Sequence, residues 1–222
     1  MSQTRILTDD TGAIMAGRYI LMGDIVRSRT YDARKLQSDF MQLVSSCNED
    51  LEGEILSPYT VTLGDEFQGI ARSLRGLLNA VFYLEETSIE RRLRFKMRYV
   101  GLFGEIETPI NRMKAHGMMG AGLTRARELL TDKRRGKARF QFEFTDAQTT
   151  GYLNLLFLAI DGLIARWNPM DGPLILDMIA NASNEEVGKA HEKNRTQIWK
   201  RRKHLLIEEF RALKDVALDL AQ

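Results

Sequence analysis

The sequence predicts an α+β protein in two parts. A sheet domain occupies residues 18–150, a linking helix 151–168, and an all-α module 169–222. Three observations predict this. Short runs rich in β-forming residues alternate with longer runs of helical apolar spacing through the first part. The strongest turn punctuation in the chain, Asn168-Pro-Met-Asp-Gly-Pro173, follows them. Beyond it, every apolar pattern has helical spacing. At 222 residues, 44% hydrophobic and 28% charged, with 4 Pro and 17 Gly, the chain is neither disordered nor collagen-like. Its 32 Lys and Arg against 30 Asp and Glu exclude a globally basic nucleic-acid coat and leave room for a local basic patch. A single cysteine, Cys47, excludes an internal disulfide and a Cys-rich zinc module. Residues 1–17 read as a polar lead-in without the apolar run of a signal peptide. The most apolar stretch, Tyr152–Trp167, is interrupted by Asn154, Asp161 and Arg166 and falls short of the roughly 20 apolar residues that span a bilayer. A soluble, cytoplasmic protein is the expectation.

The elements follow in order. Arg18–Val26 is a short apolar run, read as a buried strand. Ala33–Leu51 carries Leu36, Phe40, Leu43, Val44, Cys47 and Leu51 at helical spacing. Pro58–Leu63 is rich in β-formers, Gly64-Asp65-Glu66 is its turn, and Phe67–Ala71 returns. Ser73–Glu90 is helical and Leu93–Phe103 is a strand. A loop rich in Met and Gly, residues 113–120, precedes a helix over 123–130 and an alternating strand over 139–144. The order β-α-β-β-α-β is that of the ferredoxin-like, or palm, arrangement.

Such a sheet sets the first strand beside the hairpin, so Asp24 and Asp65 should meet at one rim. Glu66 adjoins Asp65. Hard oxygen ligands there suit Mg²⁺ or Mn²⁺. An Asp at a strand end and a Gly-Asp in a hairpin are also ordinary turn chemistry. Met22-Gly-Asp-Ile-Val26, Thr62-Leu-Gly-Asp-Glu-Phe-Gln-Gly69 and Gly101-Leu-Phe-Gly-Glu105 together resemble the class III nucleotidyl cyclase pattern. The hairpin is also similar to the GGDEF turn of diguanylate cyclases, with Leu63 in place of the first Gly. With Gly120-Ala-Gly-Leu-Thr-Arg-Ala-Arg-Glu-Leu129 downstream, the blocks resemble the SatD-like family of small bacterial proteins. The cyclase likeness implies that Asp24 and Asp65 are metal ligands. It sets Thr124 and Glu128 where the cyclases carry a catalytic Asn and Arg, and a carboxylate repels a developing phosphate charge. Arg125 and Arg127 are the nearby substitutes for contact with a nucleotide.

Other residues carry weaker readings. His116 lies among methionines, a composition more typical of a packing loop than of a soft-metal site. Lys133–Arg139 holds five cations in seven residues and reads either as a phosphate contact or as a solvated loop. Cys47 lies on an apolar stripe and reads as core.

In the C-terminal part, Ser183-Asn-Glu-Glu186 has the pattern of a capping box. Residues 191–194 are a turn, and Asn194 can cap a helix beginning at Arg195. With Leu174–Ile179 ahead of them, these helices have helix-turn-helix spacing and resemble region 4 of bacterial sigma factors. Residues 170–222 hold nine cations and nine acids, yet Lys193–Lys203 holds six of the cations and no acid. Arg195, Thr196 and Gln197 are the candidates for base edges, and Lys200, Arg201 and Lys203 for phosphates of double-stranded DNA. The apolar stripe continues to Leu220, so a single helix of about 39 Å is expected, packed on the first domain or on a second protomer. A homodimer would suit a palindromic operator. The function expected is a DNA-binding transcriptional regulator whose cyclase-like domain binds a divalent metal and a nucleotide. The alternatives are an active nucleotidyl transferase or cyclase, and a silent oligomerisation domain fused to the helix-turn-helix.

Overall fold

A computed structural model describes residues 17–132 and 138–222. Among the described residues, five strands and eight helices follow in the order β1 (Arg18–Ile25), α1 (Ala33–Asp50), β2 (Ile55–Val61), β3 (Glu66–Ala71), α2 (Leu74–Glu90), β4 (Met97–Gly104), α3 (Ala121–Thr131), β5 (Phe140–Glu143), α4 (Ala147–Ile164), α5 (Gly172–Ala180), α6 (Asn184–Ala190), α7 (Arg195–Leu205) and α8 (Ile207–Asp219). The α+β expectation holds. The strands form one sheet in the order β2-β3-β1-β4-β5, antiparallel except for the parallel β4–β5 edge.

Local chemistry explains most boundaries. Asp32, Ser73 and Asp146 each cap a helix, their side chains accepting from Lys35, Gly76 and Thr149 backbone N–H groups. The Asp146 cap starts α4 five residues before the apolar run that marks it in the sequence. β2 begins at Ile55, ahead of the expected Pro58, because an edge strand tolerates a residue with no N–H to donate.

The sheet separates two apolar layers. On one face lie α1, α2 and α4, in a core that runs without interruption from Leu21 to Ala221. On the other, Ile20, Met22, Ile70, Val100 and Leu102 are covered by α3 and by Ala115 and Met118 of the 105–120 loop. Gly104 and Gly122 let α3 lie this close. A Cβ on Gly122 would stand 2.8 Å from the Gly104 carbonyl carbon, inside van der Waals contact.

The helix expected at 151–168 is α4, Ala147–Ile164, and it does more than link. Phe157 packs among Phe82, Phe140 and Phe142 in tilted and edge-on contacts, with ring centroids 4.8–5.1 Å apart. The single long helix expected from Arg195 to Leu220 is not formed. It breaks at Leu206, in the left-handed region at φ 57°. Trp167 Nε1 donates to the Leu205 carbonyl at 2.9 Å, and α8 turns back to bury Phe210 and Ala217 against α4, α5 and α2. The apolar stripe is thus satisfied within the chain, and the expected argument for a dimer along that helix is lost.

Within the basic run 133–139, residues 133–137 lie outside the described residues. Arg139 is no phosphate contact. Its guanidinium binds both Glu85 carboxylate oxygens at 2.8–2.9 Å and Asp161 at 2.8 Å. Burial opposes its charge, but these two carboxylates more than offset that and hold it more firmly protonated than usual. Cys47 is buried as expected, and burial pushes its thiol pKa far up.

Candidate functional site

The C-terminal helices present the clearer surface. Ser183 caps α6, accepting from the Glu186 N–H at 3.3 Å, but the box is half-formed because the Glu186 carboxylate takes the Asn181 amide instead. The complete capping box is one helix later. Asn194 Oδ1 accepts from Gln197 N–H at 2.8 Å, and Gln197 Oε1 accepts from Asn194 N–H at 2.9 Å. The turn between α6 and α7 is tight. Lys193 N–H donates to the Gly188 carbonyl, and a Cβ on Gly188 would stand 2.5 Å from the Lys193 carbonyl oxygen. Only glycine leaves room for that turn.

The inner face of α7 is fixed by Ile198, Arg202 and Leu205, all buried. Arg202 is a structural tie. It donates to Asn184, to the Met178 and Asn181 carbonyls, and to Glu208, joining α5, α6 and α8. The outer face exposes Arg195, Thr196, Gln197, Trp199, Lys200 and Lys203. Among the described residues, Lys193, Arg195, Lys200 and Lys203 make no ion pair, whereas Arg201 is held by Asp171. The six sequence cations thus divide into four exposed ones that make no ion pair, of which Arg195 still feels the Glu185 carboxylate, and two that hold the fold. Gln197 is committed to its cap. Sequence reasoning passed over Trp199, which is 51% exposed beside Thr196. Its signal was present, since a Trp one residue past the core Ile198 must turn outward.

The carboxylates lie at the rim where β1 ends. Asp24 sits opposite Glu66 across the β1–β3 pair, and Asp65 adjoins them, its carbonyl accepting from Ile25 N–H at 2.9 Å. Asp24 is buried, and Arg98, its register partner on β4, lies over both carboxylate oxygens at 3.1 and 3.2 Å. No sequence reading gave Arg98 a role. In the sequence it is the last of three alternating cations, Arg94, Lys96 and Arg98, and nothing local marks it from the other two. Among the described residues, no group of three or more His, Cys, Asp or Glu is placed to hold a metal ion.

Arg125 and Arg127 are brought together in a cleft of about 1080 Å³ between the β2–β3 turn, the 116–121 loop and α3. Asp24, Asp65 and Glu66 do not line it. Arg125 stands at its edge, tied to Glu143 and Glu128, and the Glu143 hydrogen bonds hold it more firmly protonated. Arg127 instead donates to the amide oxygen of buried Gln68 at 3.1 Å and makes no ion pair among the described residues. Gln68 is fixed in turn by the Ala115 carbonyl. Thr124, Glu128 and His116 also line the cleft, with Leu63 and Met119 as exposed apolar neighbours.

The sequence model of the SatD family matches residues 19–203. The chain belongs to the SatD family. The matched span of this SatD-family chain runs from β1 into α7, so it takes in the sheet, the cleft and the α6–α7 turn. Among curated proteins, no relative matches it. No helix among the described residues is long and apolar enough to cross a membrane.

Proposed function

We propose that the chain is a cytoplasmic, DNA-binding regulator in which α5–α7 form a helix-turn-helix and α7 enters the major groove. The observation that carries this reading is the outer face of α7. Lys193, Arg195, Lys200 and Lys203 are exposed and make no ion pair among the described residues, Arg195 alone lying within electrostatic reach of an acid, Glu185, on a helix whose other side is locked into the core. Exposed cations without ion pairs on one rigid helix suit phosphates of a duplex. Arg195 and Thr196 at the helix start are the candidates for base edges, and Trp199 offers an apolar surface to a thymine methyl. The test compares substitutions within the helix. Lys200→Ala should weaken binding to every duplex, while Arg201→Ala, whose cation is already held by Asp171, should weaken it less. Equal losses, or none, would contradict the reading.

The sheet part is read as a ferredoxin-like palm of the nucleotidyl-cyclase type. The all-antiparallel order β2-β3-β1-β4 and the helices α1 and α2 on one face support that reading. It binds an anionic ligand, of which a nucleotide is the leading candidate, through Arg127. A cation without an acidic partner, oriented by a buried amide at the floor of a large cleft, is a phosphate contact in waiting. Turnover forms no part of the proposal, since Glu128 sets a negative charge beside such a phosphate. Mg²⁺ or Mn²⁺ fits the rim in donor type, through Asp24, Asp65 and Glu66. A divalent ion there must displace Arg98 from Asp24. Calorimetric titration with ATP and with GTP should show binding that Arg127→Gln weakens about tenfold or more, the 1.5–3 kcal/mol of a charged hydrogen bond. Equal binding by wild type and variant would remove Arg127 from the site.

A further inference from the structure

From Arg91 to Met97 the sequence reads Arg-Arg-Leu-Arg-Phe-Lys-Met, with four cations and no acid. This segment turns the chain from α2 into β4. Phe95 and Met97 are buried, so Arg94 and Lys96 alternate outward, and Arg91 and Arg92 are exposed at the end of α2. None of the four makes an ion pair among the described residues. With Lys35 they are five cations against Asp32, Asp39 and Glu90 around the turn, and Asp39 is already paired with Lys35. The dipole of α2 accounts for cations at 91 and 92, but not for Arg94 and Lys96 beyond it. Arg92 lies in the left-handed region at φ 55°, where Gly or Asn is the usual residue after a helix.

The turn lies against the start of the C-terminal helices. Gly172, the first residue of α5, has no room for a side chain. A Cβ there would overlap the Ile89 carbonyl oxygen and stand 3.6 Å from Arg92 Cγ. The residue before it, Asp171, holds Arg201 of α7. Lys96 lines a cavity with Trp167, Asn168 and Pro169, the approach to α5. Consecutive Cα atoms are about 3.8 Å apart, so about 10 Å separates Arg92 from Arg201. The cations of the turn thus continue the band that begins on α7. We infer that the α2–β4 turn is a second contact with the DNA backbone, taking phosphates that flank the site entered by α7. This contact presupposes the DNA-binding role of α7 and carries it onto the sheet part of the chain. A duplex presents one charge per about 1.7 Å of its axis, so a band of this length stays on backbone throughout. Phosphate contacts of this kind add affinity without reading sequence.

The test is the salt dependence of binding by the full chain to a duplex about two helical turns long. Arg92→Gly with Arg94→Ala should weaken binding to every sequence about tenfold or more and flatten the slope of log K against log salt by about two for each copy bound. Arg91 is left in place because it also donates to Ser46 Oγ. Glycine suits the left-handed backbone at 92, so thermal stability should not fall, and a loss of binding is then no loss of fold. Arg112→Ala with Lys114→Ala removes the same charge from the 105–120 loop on the other face of the sheet and should leave the slope unchanged. If the duplex binds and the turn variant keeps the wild-type slope, or if both variants flatten it alike, the contact is overturned while the role of α7 stands. A wild type that binds no duplex removes both together and leaves the band to an acidic protein surface.

Discussion

Arg139→Met should lower the stability of the fold by about 3–5 kcal/mol at neutral pH, the cost of removing one partner from a buried ion pair. The guanidinium neutralises Glu85, which is only 7% exposed, and reaches Asp161 from the same position. Without it, Glu85 keeps the Tyr99 hydroxyl at 2.9 Å and no cation. For a chain of this size the melting temperature should fall by about 6–20 °C. Arg139→Met combined with Glu85→Met should recover part of the loss, because the unpaired charge goes with its partner. A drop of a degree or two for Arg139→Met alone would mean that the ion triad is solvated and that the residue is the surface cation its sequence neighbours suggest.

Phe210→Ala should cost about 3–5 kcal/mol, the range for a buried aromatic truncated in place. Its ring is fully buried, 5.0 Å from Trp167 and 6.5 Å from Phe82, so it joins α8 to the helices over the sheet. Lys214 and Glu86 add an ion pair across the same contact. Because one core spans the chain, thermal unfolding of the variant should remain a single transition at lower temperature. Two transitions, of which only one moves, would show that the C-terminal helices fold as a unit of their own.

Element types were legible because the chemistry that sets them is local. Strand runs, helical stripes, the Asn194 cap and the hairpin at Gly64 and Asp65 each lie within a few residues of one another. The juxtaposition of Asp24 with the hairpin followed from strand order alone. What escaped was set by distant contacts. Leu206 carries no turn signal, yet the Trp167–Leu205 hydrogen bond and the burial of Phe210 force it into a left-handed conformation. Arg98 over Asp24, and Arg139 over Glu85, are pairings of residues 74 and 54 positions apart. Within α7, spacing marked which residues are cations. Only the packing against Asp171, Asn184 and Glu208 separated the structural ones, Arg201 and Arg202, from those facing solvent.

The most direct test of the DNA reading is the salt dependence of duplex binding by the full chain. With four exposed cations on or beside α7 that make no ion pair, each copy should meet about three to four phosphates through this helix, so log K should fall against log salt with a slope at least as steep as about −3 for one copy and about −6 for two. Lys200→Ala with Lys203→Ala should flatten the slope by about two for each copy bound and weaken all sequences alike. No binding to any duplex at low salt, or a slope that the double substitution leaves unchanged, would contradict a nucleic-acid role for this helix.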